Sequence, residues 1–318
     1  MARVWVYAEV GESSVDPTAL EILTKARELA DEVSAVALGP GASEAASVLG
    51  EHGAATVYVS DDPVYSDSIA QPHAHALAEL VGEHDPDLIL FASNYDSRDV
   101  AGRLSASTGA TLMGNATDLL SADVARTAAF GGTVLVDVEL QGAPKIVLVR
   151  PKSFEAKPSG GSPRVVEVDI EIAPDLCRAR RVERHEEAAS GPKLEAARVV
   201  VAGGRGLREP ASFELLDELA AAIGDAAVGA TRAVVDAGWV PYSYQIGQTG
   251  TTIKPSVYLA FGISGATQHV VGMKGARRIV AVNKDEDAPI FQIADLGIVG
   301  DALEILPQLI EEVRARKG

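Results

Sequence analysis

Twice along this chain, short apolar runs alternate with segments of helical periodicity, and this double alternation limits the fold more than any other feature. RVWVYAEV, VSAVALG, AATVYVS and DLILFAS read as strands. Around them lie helical stretches at 17–32, 43–52, 71–83 and 97–108, the first with Leu20, Leu23, Ala26, Arg27 and Ala30 at helical spacing. Strands and helices in turn at this spacing predict a parallel sheet with crossover helices. After Gly114 the pattern changes. TAAFGGTVLVDVELQGAPKIVLVRP is broken by glycines and reads as hairpins, PSGGSP as a turn, and VVEVDIEIA as a further strand. Residues 180–197 are charged and poor in large apolar side chains, as in a linker. The alternation then restarts: RVVVAGG, a helix over 210–223, AAVGATR, SVYLAFGIS, a helix over 265–273, RRIVAVN and a helix over 301–316. A length of 318 residues favours two domains. The expectation is an α/β protein of two domains, 1–190 with added hairpin strands and 191–318 doubly wound, each with a mainly parallel sheet flanked by helices.

Charge and cysteine content narrow the function classes. With 45 acidic against 28 basic residues the net charge is −17, which argues against a general nucleic-acid binder. Cys177 is the single cysteine, so no intramolecular disulfide and no thiolate zinc site can form. The start, MARVWVYAEV, is too short and charged for a secretory signal, and the apolar runs are strand-sized. The expected setting is cytoplasmic, without direct membrane insertion.

In open parallel sheets ligands bind beyond the carboxyl ends of the strands. In the second half those ends carry Gly203-Gly204-Arg205-Gly206, Thr231-Arg232, Ser264-Gly265 and Asn283-Lys284. FGISGATQH runs from a strand into Ser-Gly-Ala and a helix, a turn at which an anion can dock. GGRGL has the glycines of a close-approach loop without the GxGxxG spacing, and alone it reads as a flexible turn. Arg205 and Arg232 follow apolar strands in an acidic protein, where guanidinium pairs either a structural carboxylate or a phosphate. His73 and His75 are two apart on a helix and face differently, so no metal pair is expected there. GISGA does not fit the GxSxG nucleophile elbow, so Ser264 is not read as a nucleophile. The run YQIGQTGTT, residues 244–252, packs more hydrogen-bonding side chains into one loop than a turn needs. It implies a ligand rich in acceptors or an unusually hydrated connection.

VVVAGGRGL, VGATRAVVDAGWVP, YQIGQTG, YLAFGISGATQHVVGM and IVAVNKDEDAPIFQIADLGIVGD follow one another in a pattern that resembles the alpha subunit of electron transfer flavoprotein. The resemblance covers nearly all of the chain from Arg198 onward; the first half is similar in layout with looser motifs. It implies that the second domain holds FAD while a beta subunit closes over it. On this chain, Arg205, Thr231 and Ser264 would then contact the pyrophosphate, and Gln248 and Thr249 the flavin and its ribityl arm, with Thr249 near N5. Arg232 would lie against the isoalloxazine, partly shielded from water, and His269 near its C2 carbonyl oxygen. Asn283 and Asp301 would hold the adenosine end. Gln245, Ile246, Gly247, Gly262, Gly265, Gln268 and Lys284 complete the implied cofactor-binding set, in which Arg232, His269 and Thr249 tune the redox chemistry. Thr231 stands where the family often has serine; its hydroxyl remains, but the added methyl alters the fit.

The resemblance further implies an electron shuttle rather than a substrate-transforming enzyme. It would take electrons from flavin dehydrogenases, such as acyl-CoA dehydrogenases, and pass them to a quinone oxidoreductase, as a heterodimer with a beta subunit. A cationic arginine beside the ring favours an anionic semiquinone, and a histidine near C2=O adds a donor there. The region 127–173 resembles the part that packs on the beta subunit. An alternative within the family is an alpha subunit of an NADH-dependent electron-bifurcating flavoprotein, whose second FAD lies mostly in the beta subunit. An NAD-linked dehydrogenase lacks support because the GxGxxG fingerprint is missing. A nucleotide-binding subunit without redox activity is a third reading, and visible absorbance separates it from the others.

Overall fold

The computed structural model describes residues 2–11, 14–132, 134–183 and 193–317. The chain divides into two compact units, Met1–Arg184 and His185–Gly318. The boundary expected at 190/191, and half of the linker expected over 180–197, lie outside the described residues.

Unit one begins with β1 (Arg3–Ala8), α1 (Pro17–Leu29), β2 (Glu32–Leu38), α2 (Ala42–Glu51), β3 (Thr56–Ser60), α3 (Gln71–His84), β4 (Leu88–Ala92) and α4 (Tyr95–Thr108). It continues through β5 (Thr111–Leu119), β6 (Val124–Ala129), β7 (Val134–Glu139), β8 (Lys145–Val149) and β9 (Arg164–Glu167). These form a nine-stranded sheet in the order β9-β3-β2-β1-β4-β8-β5-β6-β7. All neighbours are parallel except β5–β6 and β6–β7. Both faces are covered at the centre of the sheet, over β1, β2, β4 and β8. Val4 and Val6 pack with Ile22, Leu23 and Leu49, whereas Trp5 and Tyr7 pack with Leu77, Phe91 and Leu104. Side chains that alternate across a strand yet are all buried are what a parallel sheet with helices on both faces requires.

Among its described residues, the stretch read as hairpins contains one such strand pair. β6 and β7 pair antiparallel across Phe130–Gly132, but β8 inserts between β4 and β5, parallel to both. Every residue of its KIVLV run is buried, a pattern suited to a sheet interior rather than to a half-solvated hairpin arm.

Unit two contains β10 (Val199–Gly203), α5 (Glu214–Ile223), β11 (Ala226–Thr231), α6 (Arg232–Val235) and β12 (Gln245–Ile246). Then follow β13 (Val257–Phe261), α7 (Thr267–Met273), β14 (Ile279–Asn283), β15 (Leu296–Val299) and α8 (Ala302–Lys317). Its six strands are all parallel, in the order β12-β11-β10-β13-β14-β15. The chain moves outward from β10 to β12, then returns to lay β13 on the other side of β10. The β10/β13 boundary is therefore a topological switch point, where loops diverge and leave a crevice. α5 and α8 cover one face through Leu216, Leu219, Leu306 and Ile310, and Tyr258, Met273 and Ile290 fill the other. The edge strand β15, four residues long and exposed throughout, was not expected from the sequence. The helix expected over 265–273 begins two residues later, at Thr267.

Candidate functional site: a cleft at the switch point of unit two

The turns leaving β10 and β13 touch through their backbones. Gly204 N–H donates to the Phe261 carbonyl at 3.0 Å, and Gly206 N–H to the Gly262 carbonyl at 3.0 Å. A Cβ built on Gly206 would lie 2.5 Å from Gly262 Cα, and Gly262 itself has φ +63°. Only glycine permits this approach, which leaves Arg205 between the two turns at the cleft mouth. Around it lies a cleft of about 640 Å³, lined by the ends of β10, β11, β12, β13 and β14. That size is ordinary for a cofactor site.

The glycine- and glutamine-rich loop closes one wall. Thr251 N–H donates to the Gln245 carbonyl at 2.7 Å and Gly247 N–H to the Thr251 carbonyl at 3.2 Å, so 245–251 folds back on itself. Gln248 N–H reaches the Gln268 carbonyl at 2.7 Å, fastening the loop to α7. A Cβ on Gly272 would meet Gly247 N at 2.4 Å, so helix and loop are in backbone contact. Within the loop the Gln245 amide donates to Thr249 Oγ1 at 3.1 Å, and the Tyr242 hydroxyl bonds the Thr249 carbonyl. Because Gln245 Nε2 is a donor, Thr249 Oγ1 accepts there and keeps its own proton for another partner.

His269 and Arg232 are placed differently. His269 is buried in the cleft wall, Nδ1 3.0 Å from the Ile246 carbonyl and Nε2 2.7 Å from the Tyr258 hydroxyl. Burial pushes its pKa down to about 4, against the small upward pull of the Ile246 carbonyl, so the ring is neutral at pH 7. Arg232 has its side chain 65% exposed and its Nε 3.1 Å from Asp236. Arg232 opens α6, a single turn held to the core by the buried Val234, and lines the cleft from its edge.

Comparison with known proteins decides the family. The family model described as "Electron transfer flavoprotein FAD-binding domain" matches residues 193–274, and that described as "Electron transfer flavoprotein domain" matches residues 4–173. An electron transfer flavoprotein subunit alpha of Mycobacterium tuberculosis is 40% identical over 319 residues, covering all of both chains. That of Thermoanaerobacterium thermosaccharolyticum is 37% identical, covering 99% of this chain and 98% of its own. That of Paracoccus denitrificans is 36% identical, covering 96% and 98%. This chain belongs to the electron transfer flavoprotein alpha-subunit family. FAD is the cofactor that follows.

The residues present fit FAD. Arg205 and Arg232, both lining the cleft, supply positive charge for a pyrophosphate in a chain of net charge −17, and the cleft lies at the switch point of a parallel sheet, where dinucleotides bind. Of the residues expected to bind the cofactor, Arg205, Thr231, Arg232, Gln245, Ile246, Gly247, Gln248, Thr249, Gly262, Ser264, Gln268, His269 and Asn283 all line this one cleft. Three do not. Gly265 turns toward Ile290, whose N–H donates to the Ser264 carbonyl at 3.0 Å. Asp301 and Lys284 are engaged with each other at 2.8 Å, and Asp301 also takes Arg208 at 2.5 Å while accepting the Leu303 N–H at 3.1 Å. Those two cations hold the Asp301 carboxyl below its usual range, the Lys284 bond contributing most. Asn283 lines the cleft with its amide committed, donating to the Ile263 carbonyl at 2.9 Å and accepting the Asp285 N–H at 3.0 Å. Sequence reasoning missed Ala233, Ile263, Ala266 and Asp285, which also line the cleft together with Gly206 and Asp236. GGRGL had placed Gly206 at the strand end, and the four-residue spacing from Arg232 points to Asp236.

Proposed function

We propose that this chain binds FAD in unit two and, paired with a beta subunit, carries electrons from flavin dehydrogenases of the acyl-CoA dehydrogenase type to a quinone oxidoreductase. Family membership supports the redox-carrier role and the heterodimer. The observation that carries the reading is the switch-point cleft, which gathers Arg205, Thr231, Arg232, Thr249, Ser264 and His269 in one place. Bound FAD supplies one- and two-electron redox chemistry; the protein supplies position and charge. On this reading Arg205, Thr231 and Ser264, which line the cleft, would hold the pyrophosphate, Gln248 and Thr249 the flavin and ribityl arm, and Asn283 the far end. Arg232 places a permanent cation at the cleft edge, and the Thr249 hydroxyl, accepting from Gln245, offers its proton as a donor in the same cleft.

Among the described residues no helix is long and apolar enough to cross a membrane, and we place the protein in the cytoplasm. The beta subunit has a candidate surface in unit one. β7 is an edge strand, paired only with β6, and it exposes Val134, Leu135 and Val136 on both faces. Co-expression with the beta subunit is expected to give a yellow one-to-one heterodimer that accepts electrons from a reduced acyl-CoA dehydrogenase. A colourless heterodimer, or a yellow one that exchanges no electrons with any flavin dehydrogenase, would sink the proposal.

A further inference from the structure

Tyr258 lies in the middle of β13, wholly buried, and does not line the cleft. Its hydroxyl nevertheless reaches a residue that does, at 2.7 Å from His269 Nε2. The direction of that bond follows from the other ring nitrogen. Nδ1 lies 3.0 Å from the Ile246 carbonyl, which can only accept, so Nδ1 carries the proton. In a neutral ring Nε2 then carries none, and it accepts from the Tyr258 hydroxyl. The chain is Tyr258 O–H to Nε2, then Nδ1–H to the Ile246 carbonyl, and it leaves His269 without a spare N–H.

We propose that Tyr258 is a positioning residue for the cleft: its hydroxyl occupies Nε2, fixing His269 as a neutral ring of set orientation that offers the cofactor no N–H. The sequence-based role for His269, a donor near the flavin C2 carbonyl, requires Nε2 to be both protonated and released from Tyr258. The Tyr258 bond opposes both, because a donor bonded to the neutral form disfavours the charged one. Burial of both side chains keeps water from replacing either partner. The charged groups sharing the cleft wall are Arg205, Arg232, Asp236 and Asp285. Through this geometry a residue outside the cleft decides what one inside it can do. Fixing the ring also steadies the loop, because Ile246, whose carbonyl takes Nδ1–H, belongs to the segment that runs on to Thr249.

The test uses the full chain with ring-15N histidine, the His269 signals among the six histidines being assigned with His269→Gln. In flavin-free wild-type protein, His269 is expected to show a protonated Nδ1 and an unprotonated Nε2 from pH 5.5 to 8. A protonated Nε2 in that range overturns the proposal, whatever any variant does. Tyr258→Phe keeps the ring that fills the core and removes only the hydroxyl. It is expected to raise the proton affinity of His269 about fivefold to tenfold, the size of one lost hydrogen bond, and to move its Nε2 signal. An unchanged titration and signal in a folded Tyr258→Phe protein also overturn it. The consequence for the cofactor rests on the FAD reading and is measured separately. In the loaded heterodimer, Tyr258→Phe should add a pH-dependent break to the flavin reduction potential that wild type lacks. Protein that never binds flavin defeats the functional reading alone, because the tautomer measurement needs none.

Discussion

Arg232 shows how an exposed pair and a functional charge can be the same residue. Its contact with Asp236 is solvent-exposed on both sides, and such pairs contribute about 0.2–1 kcal/mol. Neither Arg232→Ala nor Asp236→Asn should therefore move the unfolding midpoint appreciably. Both side chains line the cleft, however, so their charges act on whatever gains electrons there. Arg232→Ala is expected to lower the flavin reduction potential, and Asp236→Asn, by removing the neighbouring negative charge, to raise it. Spectroelectrochemical titration of both variants checks this; shifts of the same sign would show that neither charge acts directly. Gly206 is the opposite kind of residue, decisive through what it lacks. In Gly206→Ala the added methyl would meet Gly262 backbone atoms at 2.5–3.0 Å, and backbone cannot step aside as a side chain can. A loss of about 1–3 kcal/mol of unit-two stability, together with weakened FAD binding, is expected from denaturant unfolding and flavin titration. Arg205, Thr231, Arg232, Ser264 and Asn283 were legible because strand ends in a doubly wound sheet converge by topology, whereas Gln245, Gln268 and His269 came with the family resemblance. The places of Lys284 and Asp301 were not, since which of two nearby cations a carboxylate takes depends on side-chain geometry that no spacing encodes.

At the scale of elements, burial pattern separated what could be read from what could not. The alternation of strands and helices announced both sheets, and the helix over 71–83 is found at Gln71–His84. β8 was misread because proximity to glycine turns suggested a hairpin, although its unbroken KIVLV run belongs in a sheet interior. β15 escaped notice because four exposed residues leave no periodic signal. β7 carries the element-scale prediction. Valine and leucine exposed on both faces of an edge strand are uncommon in a finished surface, since such edges invite pairing. If β7 meets the beta subunit, Leu135→Asp should weaken the heterodimer at least tenfold, the scale of one interface anchor, and leave the circular dichroism of the isolated chain unchanged. Calorimetric titration with the beta subunit measures this, and an unchanged affinity would move the interface elsewhere.

Among the described residues, each unit has its own mainly parallel sheet and its own pair of cores, and each holds a histidine that burial keeps neutral. In unit one His73 packs against the rings of Tyr7 and Tyr65, at 6.2 and 5.1 Å between centroids, and its buried Nδ1 has no partner. Burial first, and then the charge of Arg181, push its pKa down to about 4, while a bond to the Leu38 carbonyl pulls the other way. His269 in unit two is likewise held at about 4, chiefly by burial. An unfolded histidine takes up its proton near 6.5, so between pH 6.5 and 4 the unfolded chain binds protons that the folded chain refuses. Stability is therefore complete above pH 6.5 and falls as pH drops toward 4, by roughly 3 kcal/mol per histidine over the window. Glu9 and Glu21 in unit one and Asp217 in unit two have carboxyls raised by burial, and they act in the opposite sense. The informative quantity is thus the difference between a variant and wild type, not the slope of either. His73→Phe and His269→Gln each remove one titration. Urea unfolding at pH 7.5 and pH 5 should show the acid loss reduced in each variant, and the two reductions should add, because the histidines sit in separate units. Equal acid losses in wild type and both variants would mean that neither histidine is neutral in the fold.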